Sequence, residues 1–478
     1  MLKFFREKAS FIVWSIVIAF GVTMFVGAVF FGNSFSKKST PQDLSKMVAM
    51  AGNLAVSQAH YYQNLSVILE QFRQERPYEN LTPDYLEVFQ WNSFLRALQF
   101  EVLLEGAKKA DISVSRSERS QLLDSVYLQL KLSGKKELKA LLASRNITYN
   151  TFLENQENEY MVQKFSKKLQ DGLSVSDEDV DKKYTELKVR HLIVRVTSPT
   201  MDATAKAKAL DITQKITKGL SFQEAARFYS DDLSTKASGG DLGWVAGGST
   251  EISLDNVLFS LKNGQVSEPI QTSLGYEIVQ VLDRRDRPRP LDLDYGKEKE
   301  SILAAKRGYV LQSYVQTFLN QNLLKVLDVT LRAYQAKMKG DIQEAVAAYQ
   351  AQISQSPTSP IPHYMLAKVY MAAGDEKKAL EELKRAEVKG ELLPSVDLSV
   401  VHLTLVDLYK KNGESALVDA EYDRAIKTAE LDIVSLNTLK KLFEKSKDGA
   451  RLHQVQAAIG RFNAKVSDLK RSQLSKKL

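Results

Sequence analysis

Four short motifs between Val189 and Leu282 specify one compact module in the middle of this chain: VRHLIV at 189–194, SFQEAARFYSDD at 221–232, SGGDLGW at 238–244 and GQVSEPIQTSLGYEIVQVL at 264–282. The first and last contain short apolar runs bounded by turn signals, which is typical of buried strands. A helical stretch and a glycine-rich turn lie between them. The motifs therefore predict a module that extends over residues 187–285.

The motif SGGDLGW is the most specific of the four. Its glycines permit backbone conformations closed to other residues, and the Asp241 carboxylate can accept backbone hydrogen bonds that hold a turn. A phosphate-binding loop is disfavoured because no lysine–serine pair follows and the rest of a nucleotide fold is missing. The motif is therefore predicted to be structural.

The order of these motifs resembles the parvulin family of peptidyl-prolyl isomerases over nearly the whole length of such a domain. The resemblance implies an α+β domain that acts on proline-containing peptides. By this resemblance His191 is the family's first-strand histidine, and Asp232, two residues after Ser230, fills a position where the family has cysteine or aspartate. The resemblance implies catalytic roles for His191 and Asp232 and substrate-binding roles for Leu242, Thr250, Leu254, Thr272 and Glu277.

Two positions depart from the family's pattern. Glu277 in GYEIV stands where the family has a second histidine, and Thr250 stands where it commonly has a methionine that grips the proline ring. Leu254 keeps an apolar wall in the implied pocket, and Leu242 is expected to line it. Because the family's paired-imidazole network cannot form with Glu277, we expect weak isomerase activity at best.

The implied reaction requires no covalent intermediate. Rotation about a prolyl amide must break C–N resonance, with a barrier of about 18–20 kcal/mol, and takes tens to hundreds of seconds uncatalysed. An enzyme accelerates it by holding the ring in an apolar pocket and by favouring the twisted amide electrostatically. A carboxylate at Asp232 would orient the His191 imidazole, although an isolated histidine that opens a strand is usually structural. The sequence predicts no cofactor and no metal site.

Composition indicates a multidomain protein. At 478 residues the chain is long enough for about three domains of roughly 100–200 residues each. Its net charge of +8 is interleaved with acidic residues along the whole length, so we predict no nucleic-acid partner. The absence of cysteine excludes disulfides and thiolate sites and fits an oxidising compartment. Hydrolases and nucleotide enzymes are disfavoured because no G-x-S-x-G, Walker or zinc-ligand pattern occurs.

An apolar run near the amino terminus reads FIVWSIVIAFGVTMFVGAVFF at 11–31. At ~1.5 Å rise per residue it spans about 30 Å, which matches a bilayer's hydrocarbon core. A cleaved signal peptide is the alternative, but its apolar region is usually ~7–15 residues long and ends in a small-residue site. We therefore expect a transmembrane anchor at 10–32. The residues before the run contain three basic side chains (Lys3, Arg6 and Lys8), whereas two (Lys37 and Lys38) follow it. This excess favours a single-pass protein of the bacterial inner membrane, with a cytoplasmic amino terminus and the bulk of the chain in the periplasm.

Residues 40–186 are predicted to be helical, because apolar residues recur at three- and four-residue spacing, as in LEVFQWNSFLRALQFEVLLEGAKKA at 86–110. The segments ISVSRSERSQ, NITYNTFLENQENEYMVQKF and LSVSDEDVDKKY, followed directly by the parvulin module, resemble the amino-terminal region of SurA- and PpiD-type folding factors. That resemblance implies an all-α chaperone-like domain. It also implies that a helix at 294–324, after the linker RDRPRP, returns to complete this domain.

The carboxy-terminal third repeats itself. Gly340-Asp341 recurs as Gly374-Asp375, an offset of 34 (374 minus 340) that matches the tetratricopeptide period. A third unit at Gly413 is displaced by 39 (413 minus 374). We predict α-helical tetratricopeptide-like repeats at 327–430 and terminal helices at 431–478. Stacked helix pairs form a surface for a peptide or protein partner, and the alternative is a closed helical cap without a ligand.

Two functions from different classes remain open. The first is a membrane-anchored, extracytoplasmic peptidyl-prolyl isomerase and chaperone that binds unfolded or proline-containing polypeptides and assists folding of exported or outer-membrane proteins. His191 together with Asp232 favours it. The second is a non-catalytic chaperone or assembly scaffold that binds unfolded chains through its helical, parvulin and repeat domains. Thr250 together with Glu277 favours it.

Overall fold

The protein is described by a computed structural model that covers residues 46–76, 81–196, 201–272, 274–390, 398–430 and 432–475. Its first domain is mainly helical and consists of β1 (Met47–Ala51), β2 (Leu54–Ser57), α1 (Gln58–Glu75), α2 (Pro83–Lys109), α3 (Arg116–Leu130), α4 (Lys135–Ala143), α5 (Tyr149–Gln170) and α6 (Asp177–Lys182). Side chains cap the amino-terminal ends of most of these helices. The Thr82 hydroxyl accepts a hydrogen bond from the Tyr85 amide at the start of α2, where Pro83 occupies the first turn.

An α+β module follows, with β3 (Thr185–Arg195), α7 (Asp202–Thr217), α8 (Phe222–Tyr229), α9 (Leu233–Lys236), β4 (Asp241–Ala246), α10 (Ile252–Ser260), β5 (Ile270–Thr272) and β6 (Gly275–Asp286). The strands form one antiparallel sheet in the order β4-β3-β6-β5. Because side chains alternate along a strand, Leu192 and Val194 of β3 pack against α7 and α8, whereas Leu187 and Val189 pack against α10. Both faces of the sheet are therefore covered.

The chain then returns to the first domain through α11 (Tyr295–Gln321) and β7 (Leu324–Val326). β7 pairs with β1, so the first domain contains a three-stranded sheet in the order β2-β1-β7. Our prediction of an all-α domain is therefore wrong. The sequence did not predict this sheet because β7 is only 3 residues long and follows the α+β module in the chain, far from β1.

Helix pairs make up the rest of the described chain: α12 (Val329–Lys339), α13 (Ile342–Gln355), α14 (Ile361–Ala372), α15 (Glu376–Gly390), α16 (Ser399–Asn412), α17 (Ser415–Ala429), α18 (Ile433–Ser446) and α19 (Gly449–Ser475). Gly340 and Gly413 end the first helix of their pairs in the left-handed conformation, which glycine adopts without strain. One hydrophobic core runs through these pairs from Ala333 to Ala458. The helices after residue 431 thus form a further pair that continues the stack.

The repeats contact the first two turns of α2. Glu87 is buried there and accepts hydrogen bonds from the Tyr349 hydroxyl and the Lys337 ammonium group. One turn earlier, Asp84 Oδ2 accepts a hydrogen bond from the Tyr364 hydroxyl at 3.1 Å. Two carboxylates of the first domain therefore bind the first two helix pairs.

The predicted fold class included a transmembrane helix at 10–32, and this part of the prediction is corrected. Within the described ranges, no helix is long and apolar enough to cross a membrane. The 27-residue helix α2, for example, carries Asp84, Glu87, Arg96 and Glu101, and such charges are costly in a bilayer core. Residues 10–32 themselves lie outside the described residues. The supported fold class is a mainly helical domain, an α+β domain and helical repeats.

Candidate active site

His191 lies on β3, on the same face of the sheet as Leu187 and Val189, because side chains two residues apart share a face. Its backbone N–H donates to the Gly240 carbonyl at 2.8 Å. Gly240 has a φ of 79°, and a Cβ there would lie 2.1 Å from the His191 carbonyl oxygen. Only glycine fits this approach, so the glycine-rich turn closes directly on the strand that carries the histidine.

Both ring nitrogens of His191 face carboxylates. Nδ1 lies 3.2 Å from Glu277 Oε2, and Nε2 lies 3.0 Å from Asp232 Oδ2. Glu277 pairs with Ile193 across β3 and β6, which makes it a diagonal neighbour of His191 on the same face. The exposed fractions of His191, Asp232 and Glu277 are 8%, 9% and 4%. Their charges therefore interact largely out of water, where screening is weak.

Asp232 is held in place by the first turn of α9. Its Oδ1 accepts hydrogen bonds from the Ser234 amide at 3.2 Å and from the Ser234 hydroxyl at 2.8 Å, so it caps this short helix. The Thr235 hydroxyl donates to Asp232 Oδ2. Behind it, Ser230 Oγ accepts hydrogen bonds from the Asp232 amide and from a β3 amide, each at 3.2 Å. These contacts tie the loop to the histidine strand.

Glu277 is oriented by Thr272, whose hydroxyl donates to Oε1 at 3.0 Å. Both side chains are buried. With one oxygen held by Thr272, the other oxygen of the carboxylate lies against His191 Nδ1. We expected Glu277 to line the substrate site and to prevent a paired-imidazole network. The structure shows that it builds a carboxylate–imidazole–carboxylate network instead.

This network favours the protonated form of His191. Burial opposes a charged ring, but the hydrogen bonds and negative charges of Glu277 and Asp232 outweigh burial, so the pKa of His191 is raised above its ordinary value of 6.5. Burial also works against ionised Asp232, yet the hydrogen bonds from Thr235, Ser234 and His191 hold the pKa of that carboxyl well below its usual range. The imidazolium then donates from each nitrogen to a carboxylate.

The remaining predicted binding residues have other surroundings. Leu242 on β4 is 37% exposed. Thr250 donates to Asp255 Oδ1 at 3.2 Å, and Leu254 is buried in the same core as Leu187. The structure thus brings His191, Asp232, Glu277 and Thr272 into one network. The catalytic and binding roles of all seven residues stay predictions.

Sequence reasoning missed Thr235. Its Oγ1 lies 3.0 Å from His191 Nε2 and bonds Asp232 as well, so it joins two members of the network. The aspartate, serine and threonine of DLST at 232–235 are residues that favour a capped helical turn. Nothing in that local pattern says that the turn meets β3.

The network suits electrostatic rather than nucleophilic chemistry. The sequence offers no thiol, and the hydroxyls of Thr235 and Thr272 donate to carboxylates. Two negative charges and one positive charge are fixed in position by strands and a capped helix. Such preorganised charges stabilise a redistribution of charge without having to reorganise during the reaction.

A second histidine cluster lies in the repeats. Glu387, His402 and Glu421 place possible metal-ligand atoms within 4.8 Å of one another. The guanidinium of Arg424 lies 2.8 Å from Glu387 and 2.5 Å from Glu421, so a cation already serves both carboxylates. The same pattern recurs one pair earlier, at an offset of 39 (402 minus 363), in His363, Glu382 and Arg385. This recurrence indicates that the histidine, glutamate and arginine contacts stabilise the packing of helices within the repeats.

Comparison with known families accounts for the main parts of the chain. Residues 191–283 match the PPIC-type PPIASE domain. The α+β module is a PPIC-type isomerase domain. Residues 1–166 match the SurA-like N-terminal domain, and residues 337–389 match the tetratricopeptide repeat. The resemblances to parvulin isomerases, to SurA-type factors and to tetratricopeptide repeats are therefore confirmed.

Individual relatives share parts of this chain. The chaperone SurA of Burkholderia pseudomallei is 39% identical over 144 residues, which cover 30% of this chain and 32% of that protein. The chaperone SurA of Thiobacillus denitrificans is 33% identical over 120 residues, which cover 25% of this chain and 26% of that protein. The chain thus spans about a third or less of the length of these curated relatives.

Solved structures also share parts of this chain. A PpiC-type peptidyl-prolyl cis-trans isomerase domain is 28% identical and covers 23% of this chain and 98% of that one, with a TM-score of 0.22. The peptidylprolyl isomerase PrsA from Bacillus anthracis is 21% identical and covers 47% of this chain and 94% of that one, with a TM-score of 0.23.

Proposed function

We propose that this protein is a peptidyl-prolyl cis-trans isomerase and chaperone that acts on unfolded, proline-containing polypeptides in the periplasm. The observation that carries the proposal is the buried His191 of the PPIC-type domain, held between Asp232 and Glu277. The SurA-like domain and the relatives named as chaperones support a role in folding. Exported proteins, including those of the outer membrane, are the proposed clients.

In the proposed reaction no covalent bond forms or breaks. The amide nitrogen of the prolyl bond loses conjugation as the bond twists, which concentrates charge on the nitrogen and changes the polarity of the carbonyl. The fixed charges of His191, Asp232 and Glu277 favour that charge distribution over the planar one. Catalysis of this kind depends on differential stabilisation of the twisted state.

A non-catalytic chaperone or assembly scaffold is the second candidate, and a cavity in the SurA-like domain favours it. This cavity of about 420 Å³ lies among α1, α2, α5 and α11. Burial raises the pKa of Glu159 in its wall to about 7, so about half of these carboxyls are uncharged at neutral pH. A mostly apolar cavity of this size accommodates apolar side chains of an unfolded chain. Its apolar wall consists of Phe100, Leu103, Val162 and Leu311.

A protein partner on the repeats belongs to the same proposal. The first two helix pairs bond Asp84 and Glu87 of the same chain. Stacked helix pairs offer an extended surface, and the later pairs, α16 to α19, are the part proposed to receive the partner.

The isomerase proposal is tested by a protease-coupled assay on a prolyl tetrapeptide with the full chain and its His191→Ala variant. We expect His191→Ala to lower kcat/KM about a hundredfold, in line with the loss of one preorganised electrostatic group, while binding of an unfolded client protein stays unchanged. The matched control is His453→Ala, which removes an exposed histidine of α19. A wild-type rate equal to the uncatalysed rate would leave the chaperone candidate alone.

A further inference from the structure

A cavity of about 240 Å³, lined by residues with polar side chains, lies between the PPIC-type domain and α11. Glu251, Ser253, Gln271 and Thr272 of the PPIC-type domain form one wall. The other wall is a single face of α11, because its residues recur at the three- and four-residue spacing of one helix face. These residues are Tyr309, Gln312, Ser313, Gln316, Thr317 and Asn320.

Thr272 connects this cavity to the histidine network. It lines the cavity, and its hydroxyl donates to Glu277, which lies 3.2 Å from His191. A peptide in the cavity would therefore lie two side chains away from the imidazole. The cavity is smaller than the ~300–1,000 Å³ of pockets for drug-sized ligands, so it suits one or two residues of an extended chain.

The α11 wall carries the chemistry of backbone recognition. Glutamine and asparagine side chains both donate and accept hydrogen bonds, as the N–H and C=O groups of an extended peptide do. Gln316 Nε2 donates to Asn320 Oδ1 at 2.8 Å, which orders this row of amides. The described lining contains no lysine or arginine. Because phosphate recognition relies on such cations, the cavity does not select phosphorylated segments.

Ion pairs join α6 and the residue after it to the amino-terminal half of α11. Because α6 leads directly into β3, these pairs limit how far the start of β3 can separate from α11. Single exposed pairs contribute little, but a network of pairs contributes more. The pairs are Lys183–Glu298 at 2.7 Å, Lys299–Asp177 at 2.7 Å and Lys306–Asp179 at 3.1 Å.

We propose that α11 is the second wall of the isomerase's substrate cleft, and that Gln312 and Gln316 hydrogen-bond the backbone of an extended, unphosphorylated prolyl segment. The inference rests on the proposed isomerase function and names its substrate class. Segments are selected by their extended backbone and their proline. This wall lies outside the match to the PPIC-type domain at 191–283.

The test uses the full chain with the double substitution Gln312→Ala and Gln316→Ala. We expect KM for a neutral alanyl-prolyl tetrapeptide to rise about tenfold, equivalent to about 1.4 kcal/mol, with kcat unchanged. The fluorescein-labelled peptide should lose the same factor in affinity when the double substitution is placed in His191→Ala, as measured by anisotropy. Gln321→Ala is the matched control, since Gln321 is an exposed glutamine at the end of α11 that does not line the cavity.

A substitution that introduces a charge distinguishes a change in substrate recognition from a loss of folding. Gln316→Lys should make the enzyme prefer a glutamyl-prolyl peptide over a lysyl-prolyl one, a preference that misfolding does not produce. If the wild type is active and the double variant matches Gln321→Ala in KM and in affinity, the α11 wall is refuted. If the wild type is inactive but the labelled peptide binds and the double variant weakens binding, the isomerase function fails and the cleft stands. Absence of both activity and binding overturns both.

Discussion

Glu277 gives His191 a second carboxylate partner, and this changes how the folded protein responds to pH. The pKa of His191 is raised in the folded state, so its charged form stabilises the fold fully below pH ~6.5, and that contribution is lost as pH rises through the raised pKa. Asp232 works in the opposite direction. Because its pKa is depressed, its contribution is present above pH ~3.9 and is lost as pH falls through the depressed pKa.

Substitution of Glu277 by glutamine should lower the pKa of His191, because the side chain keeps its shape but no longer offers a negative charge to Nδ1. Ring ¹⁵N NMR titration measures this, and the His191 signal is assigned among the chain's five histidines by its loss in His191→Gln. Glu268→Gln, at an exposed glutamate of the same domain, is the control. An unchanged pKa in Glu277→Gln would contradict the network.

Among the elements, the turn before β4 and the start of β4 contain two glycines with similar conformations and different neighbours. Gly240 and Gly243 have φ values of 79° and 71°. A Cβ on Gly240 would meet the His191 carbonyl oxygen at 2.1 Å, whereas a Cβ on Gly243 would meet no atom within 4 Å. Substitution of Gly243 would therefore test backbone strain alone, whereas substitution of Gly240 would test strain together with a steric clash.

Alanine at position 243 should cost only the strain of a left-handed residue, about 1–2 kcal/mol. Gly240→Ala should lower the free energy of unfolding by more than this, because β3 must also move away from the turn, and it should reduce isomerase activity through His191. Denaturant unfolding and the prolyl-peptide assay on the two full-length variants measure the difference. Equal losses in both variants would show that the close approach does not matter.

Across the whole molecule, α11 and α2 connect the domains. α11 packs on α2 and α5 through Tyr314, which contacts the Phe165 ring at a centroid distance of 5.1 Å, and it also forms a wall of the cavity next to the isomerase network. α2 bonds the repeats through Glu87. The SurA-like domain is therefore the part that holds the isomerase and the repeats in a common arrangement.

Glu87→Gln should loosen the contact between the repeats and α2. A buried charge that bonds Tyr349 and Lys337 is replaced by a neutral group, and weakened pairing of a buried polar group costs about 1–3 kcal/mol. Faster hydrogen–deuterium exchange at the start of α2 and in α12 to α14 is the expected result. Glu105→Gln is the control, because Glu105 pairs with Lys109 of its own helix. Exchange that is equal in the two variants would refute this account.

Local signals in the sequence were sufficient for the PPIC-type domain and the repeats, and they predicted two residues of the buried network. The motif order between Val189 and Leu282 and the 34-residue offset (374 minus 340) pointed to the PPIC-type domain and the repeats. His191 and Asp232 were found because each lies in a short motif whose position is set by its neighbours in the chain. Helix starts such as Thr82-Pro83 are local for the same reason, since a cap acts within one turn.

Contacts between distant segments depended on the tertiary structure. Glu277 meets His191 because the register of β3 and β6 places residues 86 apart in the chain on one face, and a shift by one residue would turn Glu277 to the other side. Thr235, the pairing of β7 with β1 and the α11 wall depend likewise on packing between elements. Periodicity and capping describe one element at a time, whereas register and packing are set by the free energy of the assembled core.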